Sequence, residues 1–245
     1  MSKEVNELAK ILQDSNYIVF FGGAGVSTES GIPDFRSADG LYSESYAYPP
    51  ETILSRSFFE SHTEEFICFY RDKLLHPDAK PNKAHLALAE LEKLGKLKAV
   101  ITQNVDGLHT LAGNDNVLEL HGSALRNFCM SCNESYSVET IIQSTKIPRC
   151  SCGGIIKPDV VLFEEALDQS VMSRAISAVA DADVLIIGGT SLNVYPAAGM
   201  VNYFRGSKLV LINKSKTAYD GYADLVINES IGKALDEALK TIPLP

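Results

Sequence analysis

Short apolar runs recur along the chain, and most of them are rich in β-branched residues without strict alternation of apolar and polar positions. This pattern is typical of strands in a parallel sheet that is covered on both faces. We interpret six runs as strands: residues 17–23, 98–102, 117–121, 183–189, 208–213 and 223–228. Helical periodicity falls between them, at residues 3–14, 57–75, 82–94, 168–180 and 230–241.

The alternation of strands and helices predicts an α/β protein with a Rossmann-like, doubly wound parallel sheet. Two stretches interrupt the alternation, and we expect them to form a smaller, discontinuous module beside a cleft. The expected division is a sheet domain of residues 1–34, 81–121 and 158–245, a helical insertion of 35–80, and a cysteine-bearing module of 122–157.

Charge and hydropathy narrow the class of protein. The net charge of −9 argues against a nucleic-acid partner, which requires a basic face, and is compatible with a cationic partner such as a lysine-bearing peptide. Apolar runs fall short of the roughly 20 residues of a membrane span, so no membrane partner is expected. The first residues, MSKEVNELAKIL, lack the apolar core of a signal peptide, and we expect a cytoplasmic protein.

Four of the five cysteines lie close together, as a C-x2-C pair and a C-x-C pair separated by 17 residues. A reducing cytoplasm disfavours disulfides, and a redox C-x-x-C needs no second pair nearby. Two close pairs favour a tetrahedral zinc site without an open position for water or substrate, hence a structural ion. The ligands are Cys129, Cys132, Cys150 and Cys152. Cys68 lies on an apolar helical face, and we expect it to be a small buried residue.

A glycine-rich stretch, GGAGVSTESGIPDFRS, follows the first predicted strand at residues 22–37. Its glycines allow a tight turn and let backbone N–H groups approach a phosphate. The full dinucleotide fingerprint is absent because Thr28 occupies the place of the third glycine, so a plain turn is the alternative. The segment around Phe35 then predicts a loop that closes over a ligand. The residues concerned are Gly22, Gly23, Gly25, Asp34, Phe35 and Arg36.

Other predicted strands also end in polar residues, where ligands of open α/β sheets bind. ITQNVDGLH places Asn104 and Asp106 at such an end, although either residue is also a candidate helix cap. His121 ends VLELH, and a lone histidine there is equally a candidate structural residue. His109 receives no role. The stretches GGTSLNVYPAAG and LINKS supply two further polar ends, and the four together favour a nucleotide cleft.

These motifs, GAGVSTESGIPDFRS, TQNVDGLH, LHG, the paired cysteines, GTSLNVYPAA and the late IN, occur in one order that resembles the sirtuin family of NAD-dependent protein deacylases, bacterial type. The resemblance covers residues from about 8 to 240. It implies a protein-lysine deacetylase that uses NAD as co-substrate and holds one structural Zn²⁺. The implied substrates are acetyl-lysine proteins or peptides, the products are nicotinamide, O-acetyl-ADP-ribose and deacetylated lysine, and a monomer is expected.

The resemblance also implies residue roles. His121 is the expected general base, with Asn104 and Asp106 beside it in the catalytic set. Ile32 and Asp106 contact nicotinamide, and Val161 and Phe163 line the acyl-lysine tunnel. NAD is expected to be held by Gly23, Ala24, Gly25, Ile32, Asp34, Phe35, Arg36, Gln103, Asn104, Asp106, Gly189, Thr190, Ser191 and Asn213, with the cofactor loop inside the 35–80 insertion.

The sequence departs from the family pattern in four places. Gly22 stands where the family usually has Thr or Ser, and the second zinc pair is C-x-C. Glu164 replaces a usual glycine at the edge of the peptide groove, which favours a lysine-rich peptide or alters how the backbone docks. Members that prefer succinyl or malonyl groups carry Tyr and Arg three positions apart, whereas Tyr70 directly precedes Arg71 here. We therefore expect acetyl or another short uncharged acyl group.

Two other functions share these motifs. A sirtuin-like mono-ADP-ribosyltransferase uses the same NAD pocket and passes ADP-ribose to a protein. A non-catalytic NAD-binding module is the remote alternative.

Overall fold

The computed structural model describes residues 2–35, 37, 40–43 and 46–242. The strands are β1 (Ile18–Gly22), β2 (Leu97–Thr102), β3 (Val117–Glu119), β4 (Gly122–Cys129), β5 (Ser135–Ser137), β6 (Ile156–Val160), β7 (Val184–Gly188), β8 (Lys208–Ile212) and β9 (Leu225–Ile227). The helices are α1 (Lys3–Asp14), α2 (Pro50–Ile53), α3 (Arg56–Ser61), α4 (Thr63–Lys73), α5 (Lys83–Lys93), α6 (Leu108–Ala112), α7 (Val138–Gln143), α8 (Gln169–Asp181) and α9 (Ile231–Leu239). Within the described ranges, no helix combines the length and apolar character that a membrane crossing requires.

A six-stranded sheet in the order β3-β2-β1-β7-β8-β9 forms the larger part of the molecule. Each neighbouring pair is parallel, which confirms the predicted doubly wound fold. The strand order reverses between β1 and β7, where Gly22 lies opposite Gly188. Chains leave these two strands toward opposite faces, so a crevice opens at their carboxyl ends.

Both faces of this sheet are covered, which explains the unbroken apolar strands. Phe20 packs into a core with α1, α5 and α9, whereas its neighbour Phe21 packs into a second core with α8. Successive side chains of a strand point to opposite faces, so a strand buried on both sides has no polar positions to alternate with.

A smaller antiparallel sheet, in the order β5-β4-β6, forms the core of the second module. The helices α2–α4 and α7 pack on it in one hydrophobic cluster that includes Phe59, Tyr70, Cys129 and Ile156. The helical insertion and the cysteine-bearing segment therefore share a single core. Because β6 pairs with β4 throughout its length, we propose that the boundary expected between residues 157 and 158 lies after Val160.

Three expectations about local structure are wrong. The strand expected at 117–121 ends at Glu119, so His121 lies in a turn. The helix expected at 57–75 is broken at His62, whose backbone is non-helical, so α3 ends before α4 begins. Cys68 is exposed rather than buried, because it faces outward from α4.

We predict that Leu88→Ala lowers the free energy of unfolding by about 2–5 kcal/mol, because its fully buried side chain leaves a cavity when truncated. Leu86→Ala is the matched control on the same helix α5, since Leu86 is 54% exposed and its truncation should change stability by only about 0.5 kcal/mol. Urea denaturation of both variants measures the difference, and equal losses would contradict the burial pattern of α5.

Candidate active site

The loop after β1 touches the backbone that leaves β7. The Gly25 amide donates to the Gly189 carbonyl at 2.8 Å. A Cβ added at Gly25 would lie 2.8 Å from the Gly189 Cα, and one at Gly189 would lie 2.4 Å from the Val26 nitrogen. Gly189 also has a φ of 61°, which disfavours any larger residue. The two strand ends thus pack backbone against backbone at the point where the strand order reverses, which is where nucleotides bind in open α/β sheets.

Side chains that follow three strands, β2, β7 and β8, are hydrogen-bonded to one another beside this contact. The Thr190 amide donates to Asn213 Oδ1 at 3.2 Å, and Asn213 Nδ2 donates to the Thr190 carbonyl at 2.7 Å. Gln103 Nε2 donates to Thr190 Oγ1 at 3.1 Å. Ser191 follows with an exposed side chain. The structure therefore brings together the predicted residues that follow β2, β7 and β8.

The side chains of Asn104 and Asp106 both form a hydrogen bond with Ser27, which was not among the residues predicted from the sequence. Ser27 Oγ donates to Asp106 Oδ2 at 2.6 Å and accepts from Asn104 Nδ2 at 3.0 Å. The other Asp106 oxygen accepts from the Leu108 amide at 2.9 Å, at the start of α6. One carboxylate therefore both caps this helix and takes part in the site. Ser27 is buried, and its place two residues after Gly25 in the glycine-rich stretch was the available signal.

The His121 ring faces the carbonyl of Gln103, with 2.9 Å between Nδ1 and the oxygen. A carbonyl only accepts hydrogen bonds, so Nδ1 carries the proton and Nε2 keeps its lone pair. Burial lowers the pKa of His121, and the bond to Gln103 partly offsets this by raising it. The geometry leaves a neutral imidazole whose basic nitrogen can take up a proton.

Two other histidines are buried behind the site. The rings of His85 and His109 lie 4.7 Å apart between centroids. Burial lowers the pKa of His85 to about 4 and, with the neighbouring His85, lowers that of His109 to about 3, so both are neutral at pH 7. Asn82, the N-cap of α5, donates to the Val26 carbonyl at 2.8 Å and holds the glycine-rich loop against this helix.

The expected cofactor loop is described in part. The Ile32 amide donates to the Ser27 carbonyl at 3.3 Å, and Asp34 Oδ1 accepts from the Ser37 amide at 2.8 Å. The Phe35 ring meets Tyr42 edge-on, with 5.6 Å between centroids. Arg36 lies outside the described residues, so its expected role stays a prediction.

A groove separates the two modules next to Phe163. The Phe163 amide donates to the Leu54 carbonyl and its own carbonyl accepts from the Arg56 amide, each at 3.0 Å. The Val161 amide donates to the carbonyl of His121 at 3.0 Å, which joins this segment to the candidate base. Phe163 is 40% exposed and faces a cavity of about 530 Å³. The placement of Val161 and Phe163 is compatible with the expected tunnel, which stays a prediction.

The four paired cysteines converge in the small module. Their sulfurs lie within 4.8 Å of one another, and the Cys129–Cys152 and Cys132–Cys150 pairs are each 3.5 Å apart. Four sulfurs that bind one tetrahedral zinc ion with Zn–S bonds of about 2.3 Å must lie at similarly short distances from one another. A Cβ on Gly154 would lie 2.6 Å from the Cys129 sulfur, so glycine makes room for the cluster. The C-x-C spacing is therefore compatible with one zinc ion.

The fold and the site together define a doubly wound α/β protein with a nucleotide crevice and a cysteine-held module. The Sir2 family model matches residues 23–196. NAD-dependent protein deacetylases of Clostridium acetobutylicum and Clostridium perfringens are each 60% identical to this chain, covering 96% and 98% of it and 98% and 100% of their own lengths. The chain belongs to the Sir2 family, which confirms the resemblance to the sirtuins.

Solved structures agree with this assignment. A Sir2 homologue in complex with NAD superposes with a TM-score of 0.87 and 41% identity, covering 96% of this chain and 93% of that one. A Sir2 with a deacetylated p53 peptide and 3′-O-acetyl ADP-ribose gives a TM-score of 0.89 and 37% identity, covering 97% and 98%.

We predict that Cys132→Ser lowers the zinc content from one ion per chain to near zero and lowers the melting temperature, because the ion stabilises a module with a small core. Cys68→Ser is the matched control, since Cys68 lies outside the cluster on α4. Metal analysis and thermal unfolding measure both effects, and full zinc content in Cys132→Ser would contradict the ligand assignment.

Proposed function

We propose that this chain is an NAD-dependent protein-lysine deacetylase that produces nicotinamide, O-acetyl-ADP-ribose and deacetylated lysine. The observation that carries the proposal is the neutral His121 imidazole, held by Gln103 next to the crevice at the carboxyl ends of β1 and β7. The 60% identity to proteins named NAD-dependent protein deacetylase, over nearly the whole chain, supports the same activity.

The crevice residues account for nucleotide binding. The Gly23 and Gly25 amides donate to the Gly188 and Gly189 carbonyls, so these glycines would serve by leaving room for a phosphate beside the Ala24 backbone. Thr190 and Asn213 would hold the adenosine side, because small polar groups there leave room for a sugar. The Asn104–Ser27–Asp106 network would hold the nicotinamide end. When bound, NAD supplies the ribose carbon that receives the acyl oxygen as nicotinamide leaves.

His121 would act as the general base. Its Nδ1–H is fixed by the Gln103 carbonyl, so Nε2 is oriented to accept the proton of a ribose hydroxyl. The amide and carbonyl of Phe163 are taken by Leu54 and Arg56, so the backbone flanking Phe163 would pair with the peptide as an added strand. This pairing would position the acyl amide, which is a weak nucleophile. The apolar tunnel expected next to Val161 and Phe163 would exclude competing water.

The helical insertion supports a short uncharged acyl group. The Tyr70 side chain is fully buried, and burial raises the pKa of its hydroxyl. The Arg71 guanidinium donates to Ser144 Oγ at the end of α7 at 3.4 Å, and to the sulfur of Cys68 on its own helix α4 at 3.5 Å. Neither residue is placed to bind a carboxylate at the end of an acyl chain.

The proposed setting is a cytoplasmic monomer. Four free thiols arranged for one metal ion are typical of a reducing compartment, which supports the cytoplasm. The groove for the peptide lies within one chain, between α2–α3 and the segment after β7, so the site needs no second copy.

We predict that the protein, given NAD and an acetyl-lysine peptide, yields O-acetyl-ADP-ribose in solution, and that His121→Ala abolishes this product by removing the base. Mass spectrometry of the products, with a succinyl-lysine peptide run in parallel, measures both outcomes. His76→Ala is the matched control, because His76 lies in the turn after α4 and should retain full activity.

Full deacetylation by a folded, zinc-loaded His121→Ala variant would contradict the role of the base. ADP-ribose retained on protein, without the soluble product, would instead identify a mono-ADP-ribosyltransferase. Binding of NAD with no release of nicotinamide would identify a non-catalytic module. Faster removal of succinyl than of acetyl would contradict the acyl preference.

We predict that kcat/KM stays constant above a pH of about 6.5, the ordinary pKa of histidine, and falls only at lower pH. The pKa of His121 is lowered by burial, so the neutral, accepting form persists until the pH falls through that lowered value. A pH profile of kcat/KM with saturating NAD measures this, and an acidic limb with its midpoint above 6.5 would be the opposite result.

A further inference from the structure

The groove next to Phe163 has walls of different chemistry. Glu51 and Glu164 lie on the side formed by α2 and the segment after β6, and Asn193 and Tyr195 lie on the side formed after β7. The Glu164 side chain is exposed, and Tyr195 is 68% exposed. A peptide in the groove would therefore pass between a carboxylate wall and an aromatic ring.

Glu164 is held in place by the start of α3. Its carboxylate accepts from the Ser57 amide at 2.8 Å and from Ser57 Oγ at 3.0 Å. Its backbone has a φ of 74°, a conformation that glycine adopts more readily, and the two bonds offset that cost. The side chain is thus ordered at the groove edge rather than free to turn into solvent.

The next residue anchors the same segment from the other direction. Glu165 accepts from the Leu162 amide at 2.8 Å, from Arg56 at 3.0 Å and from the buried Lys157 at 3.3 Å. The two neighbouring carboxylates therefore have different surroundings: that of Glu165 lies in a partly buried ion network, and that of Glu164 lies at the groove.

The cations of that network do not neutralise the groove edge. Arg56 is bound to Glu60 and Glu165, and Lys157 is bound to Glu165. Among the described residues, Glu164 forms no ion pair of its own. Its negative charge is consequently available to a ligand, and the opposite Tyr195 ring offers a face that also attracts cations.

We propose that Glu164 makes this groove select acyl-lysine peptides that carry a Lys or Arg next to the modified lysine. The proposal rests on the deacetylase function above and names its substrate class. Glu164 directly follows Phe163, and a strand advances about 3.3 Å per residue, so the selected position lies within about two residues of the acyl-lysine.

A matched set of acetyl-lysine peptides tests the proposal. The peptides differ only in having Lys, Gln or Glu at the flanking positions, and kcat/KM is measured for each with saturating NAD. At low ionic strength we expect the Lys peptide to exceed the Glu peptide by about tenfold, as a few exposed charge pairs would give, and the ratio to shrink toward one in high salt.

Glu164→Gln keeps an acceptor for Ser57 and removes the charge, so the Lys-to-Glu ratio should fall about threefold. Glu7→Gln is the matched control, an equal charge change on α1 that should leave the ratio unchanged. Equal wild-type rates for the three peptides, or a ratio that Glu164→Gln leaves intact, would overturn this proposal and leave the deacetylase function standing. Absence of turnover with every peptide would overturn both.

Discussion

The contact between two stretches of bare backbone, one after β1 and one after β7, is the constraint on which the site depends. Gly25 and Gly189 approach so closely that a single methyl group on either would collide with the other chain segment. This contact sets the width of the crevice at the reversal of strand order. The polar residues around this contact form one site because the Gly25–Gly189 contact holds the two strand ends together.

The candidate site is assembled from the ends of five strands. The loop after β1 supplies Ser27, the end of β2 supplies Gln103, Asn104 and Asp106, and the turn after β3 supplies His121. Gln103 contacts both the nucleotide crevice and the candidate base, because its side chain donates to Thr190 and its carbonyl accepts from His121. The nucleotide crevice and the imidazole are thereby fixed relative to each other through one residue.

Much of this arrangement was predictable from the sequence, and the remainder depended on contacts distant in the chain. The strands of the large sheet are apolar enough to be recognised singly, and α1, α5, α8 and α9 show clear helical periodicity. The small sheet was not predicted, because Ser135–Ser137 has no apolar pattern and becomes a strand only by pairing with β4. Ser27 was missed because its partner Asp106 is 79 positions away. Glu164 was recognised as unusual, but its bonds to Ser57 were not, since they join segments 107 positions apart.

The small module begins directly after the candidate base and returns to it. The chain enters the module at Gly122, leaves it at Val160, and is closed by the bond between the Val161 amide and the His121 carbonyl. Residues 122–160 therefore form a closed segment of chain whose two ends meet at His121. The peptide groove is lined by α2–α3 and by the segments after β6 and β7, whereas Gln103 at the end of β2 holds the ring. Substrate choice and proton transfer can therefore diverge independently during evolution.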